Sequence, residues 1–552
     1  MNKKTQIIST RLSFINKKKG KFLILGSWCL DAIQKLQKFN LEKNRWNRRK
    51  LVEKDYRYIK KIFNILNEKI PFLMNSYHNT NYKKKFWQSL LWVWLSHYLA
   101  SIYFRWKTVE NINYKNKNLF YCSKVTEKNL CCYDTLGFHD FVSSSDYYNE
   151  YLFSKIIKKF DNKVIVNKVN KKILFKDYIN KEKKYGFKIG LFQKLFFYVS
   201  KIFLSKGKFL NNGGFSIKNF LYLHFKKFST PLIVEEEFKR SNKKRLFILS
   251  EGDQLKRKNL KFNILPKNNF EKFLYENIKV DIPIFFLEKF KDELNKINKN
   301  KINPKLIISS TEHYYNEKYK TWILLKKFSS KIKISIIEHG GNHADLNWTF
   351  GFDRILGDEF ISWHKSNNKK KLPVPKYIGF KSKISERKNL IYCGYESTKD
   401  PSKISRSPFG IENLKSFYNL KKINDKLDKK IYKKFFYFEK KFEDIRIGKN
   451  LIELIGEKKI KKRGSFINEL ETAKLAICDY PQTTFFDCIL RCPTLLIVDY
   501  KNNWQPNKHL KKIYSELKKN HILYDHIEDA IKFINSNWDN LDEWWYSNKI
   551  SV

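Results

Sequence analysis

The 552-residue chain is short of cysteine, glycine, proline and acid, and each shortage removes a class of protein. Eight cysteines are too few for a disulfide-built scaffold. Neither Cys131-Cys132 nor the pair Cys488 and Cys492 has zinc-finger spacing or a histidine pair nearby. Reduced thiols in a cytoplasmic protein are the expectation. Nineteen glycines and twelve prolines exclude collagen-like and Pro/Gly low-complexity chains. Several motifs are missing altogether: G-x-G-x-x-G, the P-loop, H-E-x-x-H and the G-x-S-x-G elbow. Redox, ATPase, zinc-protease and hydrolase chemistry therefore lose ground. There is also no Asp-x-Asp pair of the kind that metal-dependent sugar transfer uses, so no metal site is expected.

Acidic residues number 55 against 111 basic ones, a formal charge of +56. A Lys/Asn/Ile-rich vocabulary spread over the whole length reads first as genome-wide composition bias. The functional alternative is attraction to a polyanion, either an anionic membrane face or nucleic acid. The lysines form no single arm, and no common nucleic-acid signature occurs, so no specific nucleic-acid partner is expected. The N-terminal residues lack an apolar h-region and a small-residue cleavage site, and no signal peptide is read.

Apolar residues are plentiful at 42%, with 16% aromatic, enough to bury a core for two or three domains. Phe86 to Tyr103 carries no Asp, Glu, Lys or Arg and approaches a membrane span in length. Gln88, Ser89, Ser96, His97 and Ser101 interrupt it, and its tryptophans and tyrosines sit mid-segment. A buried or membrane-surface helix is favoured over a span. Gly190 to Lys206 is a second amphipathic candidate.

Phe22-Leu23-Ile24-Leu25-Gly26 reads as a strand turning at Ser27-Trp28-Cys29. Val52, Tyr56, Ile59, Phe63 and Leu66 recur at helical spacing. From residue 246 a β/α rhythm sets in, with strands at Leu246–Ser250, Lys305–Ser310, Ile334–Ile337, Glu359–Trp363 and Tyr377–Gly379. Charged residues 380–388 read as a linker. Asn389–Gly394 opens a second unit, which ends in a β-α-β from Leu475 to Tyr500. Such alternation implies parallel sheets. The expected class is α/β, with two Rossmann-like domains facing a cleft: residues 1–384, with a helical insertion over about 40–110, and residues 385–552.

Two places carry candidate chemistry. The strand Ile334–Ile337 empties into Glu338-His339-Gly340-Gly341-Asn342, a loop just beyond a strand's carboxyl end, where α/β sheets bind ligands. The glycines suit positive φ or a close approach, and His339 suits proton transfer near neutral pH. The alternative is a tight turn with a hydrogen-bonded histidine. The second place is Asp479-Tyr480-Pro481-Gln482-Thr483-Thr484-Phe485-Phe486-Asp487, where a strand delivers the chain into a helix N-terminus. Free amides, the helix dipole and two hydroxyls suit a nucleotide phosphate, and Asp487 suits a ribose. Thr484-x-x-Asp487 is equally a capping box that needs no ligand.

These residues, with others in order, resemble a bacterial family of transferases of O-antigen and surface-polysaccharide gene clusters. The further marks are Leu25-Gly26-Ser27-Trp28-Cys29, Asp146-Tyr147-Tyr148-Asn149, Tyr315-Asn316-Glu317 with Tyr319 and Trp322, Asp358 to Trp363, Pro493-Thr494, Trp538 and Trp544-Trp545. Departures from the pattern are Ser27 where an acid is expected, His364 in place of glycine, and Asp487 in place of glutamate. Asp479-Tyr480, Phe486-Asp487 and Pro493 are also similar to the GT-B layout shared with CDP-glycerol-type polyol-phosphate transferases.

The resemblance implies a cytoplasmic glycosyltransferase, peripheral at the inner membrane face and without a resident cofactor. It would move sugar from a nucleotide-sugar donor to a lipid-linked glycan acceptor in surface-polysaccharide synthesis. His339 and Glu338 would be catalytic, and Gly26, Ser27, Gly340, Gly341 and Asn342 would form the acceptor loops. Asp479, Gln482, Thr483, Thr484 and Asp487 would bind the donor. Polyol-phosphate transfer from a CDP-alcohol, an inactive scaffold of the same fold and a nucleic-acid binder are the alternatives.

Overall fold

A computed structural model describes residues 4–15, 20–30, 44–112, 119–123, 125, 128–160, 164–166, 209–210, 238, 246–300, 304–330, 332–340, 350–362, 387–395, 398–404, 415–438, 445–461, 466–502, 504 and 510–547. Its strands are β1 Thr5–Ile8, β2 Lys21–Ile24, β3 Leu119–Ser123, β4 Leu130–Cys132, β5 Val164–Val166, β6 Phe209–Leu210, β7 Leu246–Ile248 and β8 Leu306–Ser309. There follow β9 Lys333–Ile337, β10 Glu359–Ile361, β11 Asn389–Cys393, β12 Phe435–Phe438, β13 Ile460–Lys461, β14 Ala473–Cys478, β15 Thr494–Ile497 and β16 Leu523–Tyr524.

Three sheets are parallel, in the orders β2-β1-β3-β5, β10-β9-β8-β6 and β13-β12-β11-β14-β15-β16. The α/β class with parallel sheets is therefore what the chain adopts. The reason is visible in the strands: Ile334 to Ile337, Leu475 to Cys478 and Thr494 to Ile497 are buried at every residue. Continuous apolar runs of this kind belong to sheets covered by helices on both faces. The strand at Leu246–Ile248 differs from expectation. It pairs antiparallel with β4 in a separate two-stranded ribbon, because local alternation fixes a strand but not its partner. Tyr377–Gly379 and Gly190–Lys206 lie outside the described residues.

The helical insertion consists of two long helices, Arg49–His78 and Lys84–Glu110. The first is amphipathic, burying Val52, Asp55, Ile59, Phe63, Leu66 and Ile70 at three- to four-residue spacing. Pro71 lies inside it and cannot donate to the Asn67 carbonyl one turn back. Gln88 of the second helix donates to that carbonyl instead, at 3.1 Å. Asn79, with φ 50°, ends the helix in the left-handed region.

The second helix is apolar all round and buried almost throughout, the pattern of a helix at the centre of a large core. Trp87 packs on Phe290 at 4.7 Å between ring centroids, and Trp92 on Phe63 at 4.7 Å. The Trp87 and Trp92 indoles donate to Asn75 Oδ1 at 2.7 Å and to the Phe350 carbonyl at 3.1 Å. The charge-free Phe86–Tyr103 run is thus core, and it has no apolar face left for a membrane surface. Among the described residues no helix is long and apolar enough to cross a membrane.

One apolar core joins the first two parallel sheets and the long helices and takes in Ile404. The six-stranded sheet has a core of its own on each face.

Candidate functional site

Numbered within itself in chain order, the six-stranded sheet runs 3-2-1-4-5-6. The order of strand addition reverses between the parallel strands β11 and β14, and the crevice beyond their carboxyl ends is where such sheets bind nucleotides. Asp479 follows β14 directly and is buried. Its carboxylate accepts from the Tyr392 hydroxyl of β11 at 2.8 Å and from Ser416, and Asn419 donates to Tyr392 at 3.2 Å. Burial and the Asp479 charge push the Tyr392 pKa well up, so it stays a donor. Gly394 ends β11. A Cβ there would stand 3.1 Å from Ser416 Oγ and 3.2 Å from the Tyr392 ring, so glycine lets the Lys415–Lys426 helix close on the strand.

Past Asp479, Gln482 caps the Thr483–Ile489 helix without a side-chain cap bond. The capping box foreseen for Thr484 and Asp487 does not form: Thr484 bonds the Tyr480 hydroxyl, and Asp487 is buried beside Arg491 at 3.5 Å. Gln482, Thr483 and Thr484 remain partly exposed. Below them the sulfurs of Cys393, Cys478 and Cys488 lie within 4.8 Å of one another. Burial pushes the Cys478 and Cys488 thiols far up, which keeps them protonated and poor ligands or nucleophiles.

The second centre lies at the carboxyl ends of β8, β9 and β10. Glu338 is buried, its amide bonded to the Ile361 carbonyl at 2.8 Å and its carboxylate accepting from Ser362 at 3.0 Å. His339 beside it is open to solvent. Packing lowers its pKa; Asp353 partly offsets this, and His313 and Lys403 add to it. A neutral imidazole near pH 7 can take a proton. Behind it His313 is fully buried, 2.8 Å from Ser309 Oγ and 2.8 Å from Asp353 Oδ1, and Tyr314 donates to Asp353 Oδ2 at 2.5 Å. Gly340 is buried next to His339; Gly341 and Asn342 lie outside the described residues.

Gly26 and Ser27 follow β2, at the edge of the β2-β1-β3-β5 sheet. A Cβ on Gly26 would come within 2.2 Å of the Trp28 ring, and Trp28 Nε1 donates to the Ser9 carbonyl at 3.0 Å. The glycine is therefore explained by the indole stacked over it, and Ser27 is buried in the following turn.

Residues 398–404, downstream of β11, form a strap that runs onto the N-terminal half. Lys399 pairs with Asp146, and the Asp400 amide bonds the Ser143 carbonyl at 3.1 Å. From the long buried helix, Arg105 donates to the Pro401 carbonyl at 3.2 Å and Ser101 to the Ser402 carbonyl at 2.8 Å. Lys403 then reaches the Tyr315 hydroxyl at 2.7 Å. Tyr315 stacks on His139 at 5.3 Å, and His97 lies 5.5 Å from His139. The strap thus leads from the nucleotide-type crevice to the neighbourhood of His339. Sequence reasoning missed His97, His139, Asp353 and Lys403, which come from four distant segments with no local motif. Tyr315 alone stood in a recognised mark.

No curated protein sequence matches the chain. Among the solved structures that match loosely are a Listeria monocytogenes protein described as a UDP-N-acetylglucosamine 2-epimerase, and S. aureus MnaA in a co-structure with UDP. Each is 12% identical, covers 62% of this chain and 90% of its own, and superposes with a TM-score of 0.33. Overlap that loose transfers nothing, and the fold rests on the strand order above. The family comparison is of another kind, matching residues 5–551. By that match the chain belongs to the LIC12162 family of transferases.

Proposed function

We propose that this transferase is a glycosyltransferase of the GT-B kind, moving a sugar from a nucleotide donor to a hydroxyl of a lipid-linked glycan. The observation that carries the reading is the 3-2-1-4-5-6 strand order with buried Asp479 beyond the two strands at its reversal. In this reading the partly exposed Gln482, Thr483 and Thr484, with the helix's first amides, hold the donor phosphates. Asp487 contributes to the ribose side through its place one turn further on. His339 is the base: the acceptor O–H gives its proton to the imidazole as the oxygen bonds the anomeric carbon. The C–O bond to phosphate breaks, and the nucleotide leaves with the electron pair. Buried Glu338 holds the loop through Ser362, and Gly340, Gly341 and Asn342 shape the acceptor side. The reading needs no resident cofactor or metal. It places the work at the inner membrane face in surface-polysaccharide assembly, the basic surface meeting anionic lipid.

Transfer of labelled sugar to a lipid acceptor tests it, alongside nucleotide binding by calorimetry. His339→Ala is expected to cut turnover by about 10²-fold or more, the usual contribution of a positioned base, with nucleotide affinity unchanged. Asp479→Asn is expected to weaken nucleotide binding. Unchanged turnover in the first variant, or no nucleotide bound by the wild type, overturns the assignment.

A further inference from the structure

We propose that His97, His139, Tyr315 and Lys403 form an anion subsite that takes a phosphate group of the acceptor, separate from the nucleotide position. The inference rests on the reading of His339 as the acceptor side. The four groups come from four elements: the Lys84–Glu110 helix, the Thr135–Ser144 helix, the end of the short Glu312–Tyr315 helix, and the strap after β11. They converge within one neighbourhood. Ring centroids are 5.5 Å apart for His97 and His139, 5.3 Å for His139 and Tyr315, and 6.0 Å for His97 and Tyr315. Lys403 Nζ stands 2.7 Å from the Tyr315 hydroxyl. All four residues are half-buried, so each keeps part of its surface open to solvent.

Three features favour an anion over a neutral sugar. Burial holds the His97 imidazole neutral, and the positive charges of Lys403 and Lys320 add to that. His97 Nδ1 is buried without a hydrogen-bond partner, a cost that native sites carry where a ligand or water completes them. The ammonium of Lys403 donates to the Tyr315 hydroxyl at 2.7 Å, which brings a positive charge into the ring cluster.

A lysine and two imidazoles beside a hydroxyl are the donor set that phosphate oxygens accept from. The site is also held in advance of ligand. Arg105 and Ser101, on the same helix as His97, fix the strap on either side of Pro401 and Ser402, so Lys403 reaches the ring cluster without the ordering cost of a free lysine. Lys403 also acts on His339, which sets the subsite beside the proposed base and off the switch-point crevice. A phosphate bound there would hold a lipid-linked acceptor by its head while its sugar hydroxyl meets His339.

The experiment is calorimetric titration of the full chain with inorganic pyrophosphate, alone and with UDP present in excess. Pyrophosphate is expected to bind the wild type in both cases. Lys403→Met and His139→Gln are each expected to weaken it about 10-fold or more, the scale of one charge-assisted hydrogen bond. Tyr315→Phe, which keeps the ring stack, serves where either variant melts early, and it is expected to weaken binding by a smaller factor. Wild-type affinity in all three variants overturns the subsite, as does no pyrophosphate binding by the wild type. Displacement of pyrophosphate by UDP overturns its separateness, since the phosphate then belongs to the donor position. Asp479→Asn keeps the two proposals apart: loss of UDP binding with pyrophosphate binding intact supports both. Pyrophosphate binding by a chain that binds no UDP leaves this inference standing while the donor reading fails.

Discussion

Replacing Arg105 with Met tests whether the strap is clamped by a buried charge. The guanidinium is fully buried and donates to the Ser101 carbonyl at 2.9 Å, the Val142 carbonyl at 3.0 Å, the Pro401 carbonyl at 3.2 Å and Asn149 Oδ1. Burial lowers its pKa from 12.5 to about 10, with Asp400 and Tyr148 opposing that fall. A fall of that size corresponds to about 3 kcal/mol against the charged form. Four hydrogen bonds from a charged donor contribute about 1.5 kcal/mol each, or about 6 kcal/mol gross. Nε is buried without a hydrogen-bond partner and subtracts about 1 kcal/mol, so the net is about 2 kcal/mol in favour of arginine. Arg105→Met keeps most of the volume, so the loss reads the hydrogen bonds and not a cavity. Lysine cannot replace it, because one ammonium does not span carbonyls from three segments. The assays are thermal melting and pyrophosphate titration. Melting is expected to fall by several degrees, and the affinity assigned to Lys403 is expected to fall with it. An Arg105→Met protein that melts and binds like the wild type refutes the clamp.

Three further outcomes follow from local geometry. Gly26→Ala puts a methyl 2.2 Å from the Trp28 ring, and the displaced indole is expected to cost about 2 kcal/mol, read by melting and by a shifted tryptophan emission. Gln88→Leu strips the Asn67 carbonyl of the donor that replaces Pro71's missing amide. A loss of about 1 kcal/mol is expected from Gln88→Leu, and less when Pro71→Ala restores the helical bond. Burial lowers the His78 pKa from 6.5 to about 4 against an opposing bond to the Phe286 carbonyl, with Lys291 adding to the fall. The unfolded chain therefore takes up the proton first, so this stability is intact above pH 6.5 and drains as pH falls toward 4. About 2 kcal/mol is expected to go between pH 7.5 and 5, and His78→Gln is expected to flatten that slope; equal slopes in both proteins reject the assignment.

The C-terminal sheet was the most legible part of the chain, because its central strands are largely apolar runs separated by helical spacing, and Pro493 stops the helix just before the strand at Thr494–Ile497. Asp479 could be read as a strand-end acid from Leu475-Ala476-Ile477-Cys478 alone. What could not be read was the sheet order, which follows from which strand pairs with which, and that order is what makes Asp479 informative. The Thr484/Asp487 box failed for a related reason. Cap spacing is local, whereas the Tyr480 hydroxyl and Arg491 that engage those residues are set by how strand and helix pack. Phe86–Tyr103 posed the opposite problem. Its composition suits lipid and core equally, and only the neighbours that bury Trp87, Trp92 and Trp94 decide between them.

The strap makes the two candidate centres one problem. A transferase must bring donor and acceptor together while keeping water out, and effective molarity depends on how firmly the two halves of the site are held. Here the chain leaving β11 is clasped through Lys399, Pro401 and Ser402 by helices of the other half. Lys403 beyond it influences His339 and His97 alike. An acceptor bound at Lys403 therefore presses on a segment continuous with Gly394 and Tyr395, which border Ser416 and the Asp479 crevice. Binding at one centre has a covalent path to the other, since Tyr395 and Lys399 are only four residues apart in the chain. Coupling between donor and acceptor is then expected to run through the strap: Arg105→Met, which loosens it without touching either centre, weakens the dependence of UDP affinity on bound pyrophosphate, and equal dependence in both proteins argues for independent sites.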